Sequence, residues 1–190
     1  MRIRTIVAIS GVLLLAGLAY VGVALVRHGF SAREKPSRLE EFLARQARKI
    51  ATPADAKQLT NRYPVTPEGL AAARAHWVDH CATCHALDGS GNTPMGRNLY
   101  PPAPDMRAAT VQYLTDGELY YIITNGVRFT GMPAWGAEHT PEETWQLVAF
   151  IRRLPTLSPD ELAEMEAMAV GVAGGAGGHT HGAGSQPHGH

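Results

Sequence analysis

The chain has 190 residues, enough for one domain of ordinary size with extensions at either end. Its 17 basic and 17 acidic residues cancel, which excludes the strongly basic surface expected of a nucleic-acid-binding protein. Two cysteines are too few for a disulfide scaffold, so their spacing points to cofactor chemistry.

The neutrality conceals a polarity along the chain. Residues 27–62 carry nine basic and four acidic groups, residues 63–157 six and nine, and residues 158–190 four acids with neither Lys nor Arg. Residues 5–26 carry no charge, and about 20 predominantly apolar residues suffice to cross a bilayer as helix. Arg2 and Arg4 precede this run, as in a signal sequence. The apolar residues continue past the small pair Gly22 and Ala24, so residues 1–26 are read as an uncleaved transmembrane anchor. The flank after it holds Arg27, Arg33, Lys35 and Arg38. The positive-inside rule taken alone would therefore put the rest of the chain in the cytoplasm.

Residues 27–65 read as a basic juxtamembrane helix followed by a linker. Ser37 and Glu40 have capping-box spacing. Leu39, Phe42, Leu43, Gln46, Ala47 and Ile50 follow one helical face, and Arg38, Arg45, Arg48 and Lys49 occupy the other. Such a helix is either solvated or laid on anionic lipid. Residues 51–65, with Pro53 and Pro64, read as extended linker.

Residues 66–157 form the globular part. Thr66, Pro67 and Glu68 open a helix by cap, first-turn proline and first-turn acid. Leu70, Ala73, Trp77 and Cys81 fall on one stripe of it. Thr115 and Glu118 open a second helix that stops at Asn125 and Gly126, and Thr140 and Glu143 open a third that stops before Pro155. No segment alternates as a strand does, so the fold class is all-α. The 30 residues from 86 to 115 are rich in Gly, Pro and Asn. A loop of that length suits a compact domain only where a large cofactor replaces peptide core. Residues 158–190 read as a short acidic helix to about Val170, then a Gly/Ala-rich tail too poor in apolar surface to fold. That tail ends in His179, His181, His188 and His190, which are candidate ligands for Cu, Ni or Zn.

Cys81-Ala82-Thr83-Cys84-His85 is the C-x-x-C-H signature of covalent haem attachment. Two thiols three positions apart on a helical turn reach the two vinyl groups of one haem, and the adjacent histidine becomes the proximal iron ligand. A structural zinc site would need four ligands, and a redox C-x-x-C would need a nearby βαβ pattern. Gly131-Met132-Pro133-Ala134-Trp135-Gly136 supplies a candidate distal ligand. A methionine at a loop tip is a poor core residue, so Met132 is preferred to Met95 and Met106. His76, His80 and His139 read as solvated helix-end residues.

The order of these parts resembles the small His/Met-ligated c-type cytochromes, notably those similar to cytochrome c subunits of bacterial respiratory oxidases. The likeness spans about half the chain, from Gly69 to Leu154. It implies a small cytochrome c fold, three to five helices around one haem c bound through Cys81 and Cys84, with His85 and Met132 on the iron. It further implies that first and last helices cross at a small residue, here Ala73 where glycine is usual, with Trp77 packed on Trp145 or Phe150. A loop proline carbonyl would orient His85, with Pro101, Pro102 and Pro104 as candidates and Pro102 preferred. Leu99 would pack on the haem face, and Arg97, Tyr100, Arg128 and Trp135 are candidates to contact the propionates. The expected function is single-electron transfer, without substrate turnover of its own, in a bacterial respiratory chain. Because haem is attached outside the bacterial inner membrane, the resemblance overrides the charge count and puts the domain on the periplasmic side. Redox partners would be a quinol- or substrate-oxidising complex as donor and a terminal acceptor such as an oxidase. The competing expectations are a haem-based gas sensor with a labile Met132 and a metal-handling protein acting through its histidine tail.

Overall fold

The structure, a computed structural model, describes residues 2–27, 31 and 33–175. The chain divides into two units, residues 1–34 and 35–190. In the first, α1 (Arg2–Arg27) is a single helix. Its 26 residues extend about 39 Å at 1.5 Å per residue, more than the roughly 30 Å of a hydrocarbon core. Residues 3–27 are apolar enough to cross a membrane, and none of this helix is buried in protein.

The regular secondary structure of the second unit is all helix, with no strand among its described residues. It contains α2 (Arg38–Ala51), α3 (Pro67–His76), α4 (Ala82–His85), α5 (Pro94–Asn98), α6 (Ala109–Gln112), α7 (Asp116–Asn125), α8 (Pro141–Arg153) and α9 (Pro159–Gly175). The cap signals operate as expected. Ser37 with Glu40, Thr115 with Glu118 and Thr140 with Glu143 form complete capping boxes, each bonded in both directions. Thr66 caps α3 by accepting from the Gly69 N–H.

The scaffold is the α3–α8 pair. α8 buries seven residues, from Thr144 to Ile151, and α3 meets it through small ones. A Cβ on Gly69 would lie 2.8 Å from the Gln146 side chain, and Ala73 is buried. Gln146 in turn donates to the Pro64 carbonyl at 3.0 Å. One turn further along, Trp77 packs on Phe150 with ring centroids 5.8 Å apart, while Trp145 stacks on Tyr120 at 4.5 Å. Phe150, not Trp145, is therefore the aromatic partner of Trp77. α7 lies along α8. Arg152 fastens the end of α8 there, donating to Asp116 Oδ1 and to the Gln112 and Leu114 carbonyls.

Side-chain packing runs past both boundaries drawn at residues 66 and 157. The stretch read as linker holds a short 3-10 turn, Ala56–Gln58, packed on α7. Thr52 and Ala56 are buried, Thr115 Oγ1 donates to the Lys57 carbonyl, and a Cβ on Gly117 would lie 2.1 Å from the Ala56 oxygen. Beyond Leu157, α9 packs on α3 and the turn that follows it. Met165, on α9, is 0% exposed, and Arg74–Glu164 and Arg153–Glu161 ion pairs flank it. α9 also continues to Gly175, past the expected end near Val170. The histidines at 179, 181, 188 and 190 lie outside the described residues.

Candidate functional site

The C-x-x-C-H segment sits where α3 changes pitch. After His76 the helix widens into a π-type turn, Trp77–Cys81, and then resumes as α4. Single π-type turns inside helices concentrate at functional sites. Cys81 and Cys84 are half-buried thiols. Burial, aided by the Cys84 charge, pushes the Cys81 thiol up to about 12. Cys81 is thus held protonated, which is unlike the low-pKa thiolate of a redox C-x-x-C. Burial also lowers the affinity of His85 for a proton, opposed by the Pro104 carbonyl. At neutral pH the ring is uncharged, the form that ligates a metal. Nδ1 makes no hydrogen bond of full geometry, so the Pro104 carbonyl acts on the ring without closing a bond to it. Among the three loop prolines, it is Pro104 whose carbonyl acts on His85. Pro102 is half-buried earlier in the loop.

The 30-residue loop is more ordered than its composition suggests, because it is tied to the signature backbone. Gly91 N–H donates to the His85 carbonyl at 2.8 Å. Trp77 Nε1 donates to the Ala86 carbonyl at 3.1 Å, with its ring 5.8 Å from that of His85. Thr93 caps α5 by accepting from the Gly96 N–H, and its hydroxyl donates to the Thr83 carbonyl at 2.8 Å. Gly96 is there by necessity: a Cβ would stand 2.2 Å from the Cys84 oxygen. Further on, Arg107 bridges Asp88 and Asp105 at 2.8 and 2.9 Å. In Asp88 burial raises the carboxyl pKa, but Ser90 and Arg107 outweigh it and hold the group below its ordinary value. Thr93, Gly96 and Arg107 escaped the sequence reading. Thr93-Pro94 repeats the cap-and-proline signal of α3 and α8, so the first of them was findable.

The Met132 loop is pinned to the end of α7. Val127 N–H donates to the Met132 carbonyl at 3.1 Å, and the Trp135 and Gly136 N–H groups donate to the Ile123 and Thr124 carbonyls, both at 3.0 Å. The Met132 N–H donates to Thr130 Oγ1. Gly126 has φ +65°, and a Cβ there would meet the Pro133–Ala134 peptide at 2.7 Å. The two loops also touch: a Cβ on Gly131 would lie 2.6 Å from Leu99 Cδ2. The structure therefore brings Leu99 against the methionine loop, with Met132 itself half-buried. Met95 is exposed, whereas Met106 packs on the core.

Other candidates fall elsewhere. Arg97 is exposed and donates to Asn92. Arg128 is exposed. Tyr100 donates its hydroxyl to Glu40 on α2. Trp135 joins a ring cluster with His80, His139 and, through His139, His76. The expectation that these histidines are solvated holds only for His80: His76 is half-buried and His139 is 9% exposed. The contact between His76 and His139 joins residues distant in sequence.

The chemistry of the donor set fits a covalently bound haem. Two cysteines and an uncharged histidine share one turn, a glycine-rich backbone cradles that turn, and a firmly held methionine loop meets the same long loop. Residues 68–151 match the family model described as cytochrome c oxidase, cbb3-type, subunit III. Among solved structures, the chain is similar to one in the reducing HAO-like protein complex of Kuenenia stuttgartiensis. The match has 19% identity and a TM-score of 0.46, and covers 50% of this chain and 47% of that one. This chain thus spans about half the length of that relative. No curated protein matches.

Proposed function

We propose that this chain, which is a c-type cytochrome, carries single electrons through one haem c that Cys81 and Cys84 would hold covalently and whose iron His85 and Met132 would ligate. The observation that carries the reading is the pairing of an uncharged His85 on the attachment turn with a methionine loop held by backbone hydrogen bonds on either side of Met132. Bound there, haem c supplies a one-electron Fe(III)/Fe(II) couple.

The protein's own residues then have distinct tasks. Cys81 and Cys84 hold the group covalently. His85 presents an imidazole on which the loop carbonyl of Pro104 acts, the kind of outer contact that orients a ligand ring and tunes a metal. Met132 would be the second iron ligand, and a methionine in that role raises the reduction potential. Leu99 excludes water beside that ligand. With His85 and Met132 both on the iron, the bound group would be closed to substrate, so the chain would relay electrons and turn over no substrate itself.

α1 anchors the chain in the bacterial inner membrane, with the haem domain on the periplasmic side. On α2, Leu39, Phe42, Leu43 and Ile50 are exposed along one face, beside Arg38, Arg45, Arg48 and Lys49. That arrangement supports a helix lying on anionic lipid. The donor is a quinol-oxidising complex and the acceptor a terminal oxidase, reached by diffusion in two dimensions. The acidic excess of residues 63–157 suits a basic docking patch on the partner.

Absorption spectra of the purified full-length protein test this, oxidised and reduced, with and without carbon monoxide. A low-spin reduced spectrum unaffected by carbon monoxide in the wild type, and responsive to it in Met132→Ala, is expected. Ready carbon monoxide binding by the wild type would instead favour a gas-binding haem.

A further inference from the structure

Three histidines and a tryptophan form a ring cluster between the haem-attachment helix and the methionine loop, and no step above uses it. His76 ends α3, and His80 lies in the π-type turn beside Cys81. His139 immediately precedes the α8 cap, and Trp135 follows Met132 by three residues. The His76 and His139 rings meet edge to face with centroids 4.4 Å apart and planes at 84°. His139 stacks on Trp135 at 5.2 Å and 10°, and His80 lies 4.6 Å from His76 and 5.7 Å from Trp135. The Trp135 carbonyl accepts from both the Glu138 and His139 N–H groups at 2.9 Å, so backbone and rings bind the same residues together.

The nitrogens are the unusual feature. His139 is buried with both ring nitrogens unpartnered, and His76 Nε2 is buried and unpartnered as well. No three donors among the described residues converge to hold a metal ion, so the cluster acts through its ring contacts. A charged ring here would bury two N–H donors with nothing to bond. A buried unpaired charge costs far more than the attraction between a cation and the face of an aromatic ring returns.

We propose that His76 and His139 are positioning residues for the distal ligand: as uncharged rings they brace Trp135, and through it the Met132 loop, and their protonation releases that brace. The inference rests on the His/Met reading above. The charged and titratable groups around the pair are Asp79 and His80 on the α3 side, and Glu138 and Glu143 on the α8 side. Burial comes first and holds both rings below the ordinary value of 6.5. The neighbouring histidines add to that depression, and the carboxylates of Glu143, Asp79 and Glu138 oppose it without reversing it. At neutral pH the brace is intact. It opens on acidification below 6.5.

The test is a pH titration of the oxidised full-length haem protein, following the sulfur–iron charge-transfer absorption that persists only while methionine ligates iron. It runs from about pH 8 to about pH 4.5, the span over which histidine titrates. In the wild type the band is expected to fade with a midpoint below 6.5. In His139→Leu, and in His76→Leu should the first fold poorly, it should survive to at least about one pH unit lower, a tenfold higher proton concentration. Equal midpoints in the wild type and both variants, or a wild-type band indifferent to pH, would overturn the brace while leaving the ligation intact. A wild type with no such band at any pH would overturn the ligation itself and the brace with it.

Discussion

Helices α2 and α8 begin alike and end in different circumstances. Both open with a complete capping box and close with two basic residues, over 14 and 13 residues respectively. Both have an apolar stripe opposite a polar one. Yet α8 buries seven residues and α2 buries none. On α2, Phe42 is 57% and Ile50 84% exposed. Local sequence rules therefore decide that a helix forms and where it starts. They do not decide what its apolar face meets. For α8 that is Trp77, Tyr120 and the rest of the core, and for α2 we assign it to lipid.

The largest expected contrast is in truncating one aromatic on each helix. Phe150→Ala should lower the stability of the haem domain by about 3–5 kcal/mol, the usual loss for a buried phenylalanine. Phe42→Ala should change it by no more than about 0.5 kcal/mol. Denaturant titrations followed at the haem absorption would compare them, and equal losses would place α2 in the core after all. The capping boxes sharpen the contrast. Thr140→Ala should cost the domain about 1 kcal/mol, whereas Ser37→Ala should fray α2 and leave the domain's unfolding midpoint in place. Amide hydrogen exchange over residues 38–51 would register that fraying.

Acid provides a subtler separation. His139, at the start of α8, and His76 opposite it are held below 6.5. Above that value both folded and unfolded chains leave them uncharged, and their contribution to stability is complete. As pH falls below 6.5 the unfolded chain takes up protons first, so stability declines until the folded rings are charged too. Thermal unfolding at stepped pH should show this decline in the wild type and less of it in His139→Leu, while α2, which carries no histidine, adds nothing to the histidine part of it. Smallest in its effect on folding is Phe42→Glu. With the full chain in anionic vesicles, it should speed tryptic cleavage at Arg45, Arg48 and Lys49 while leaving the haem spectrum unchanged. Unaltered cleavage would argue against lipid contact.

What could be read in advance was local. The five residues 81–85 carry the haem-attachment signature, and cap-plus-proline pairs opened α3 and α8 as anticipated. Thr93-Pro94 went unread because α5 has only five residues and sits in a stretch whose Gly and Pro content suggests loop. Short packed segments were also lost. Ala56 stands between Asp55 and Lys57 and Met165 between Glu164 and Glu166, and their burial comes from the α7 and α3 surfaces they land on. The histidine cluster lay furthest out of reach, since His76 and His139 meet across the α3–α8 pair and no local pattern records the encounter.

A redox titration of the purified full-length protein tests the central claim most directly. One carrier haem with His85 and Met132 on its iron predicts a single one-electron curve, about 59 mV per tenfold change in the oxidised-to-reduced ratio. Its midpoint should fall on Met132→His, since methionine ligation raises the potential. A curve of another slope, or a midpoint indifferent to that substitution, would contradict the account.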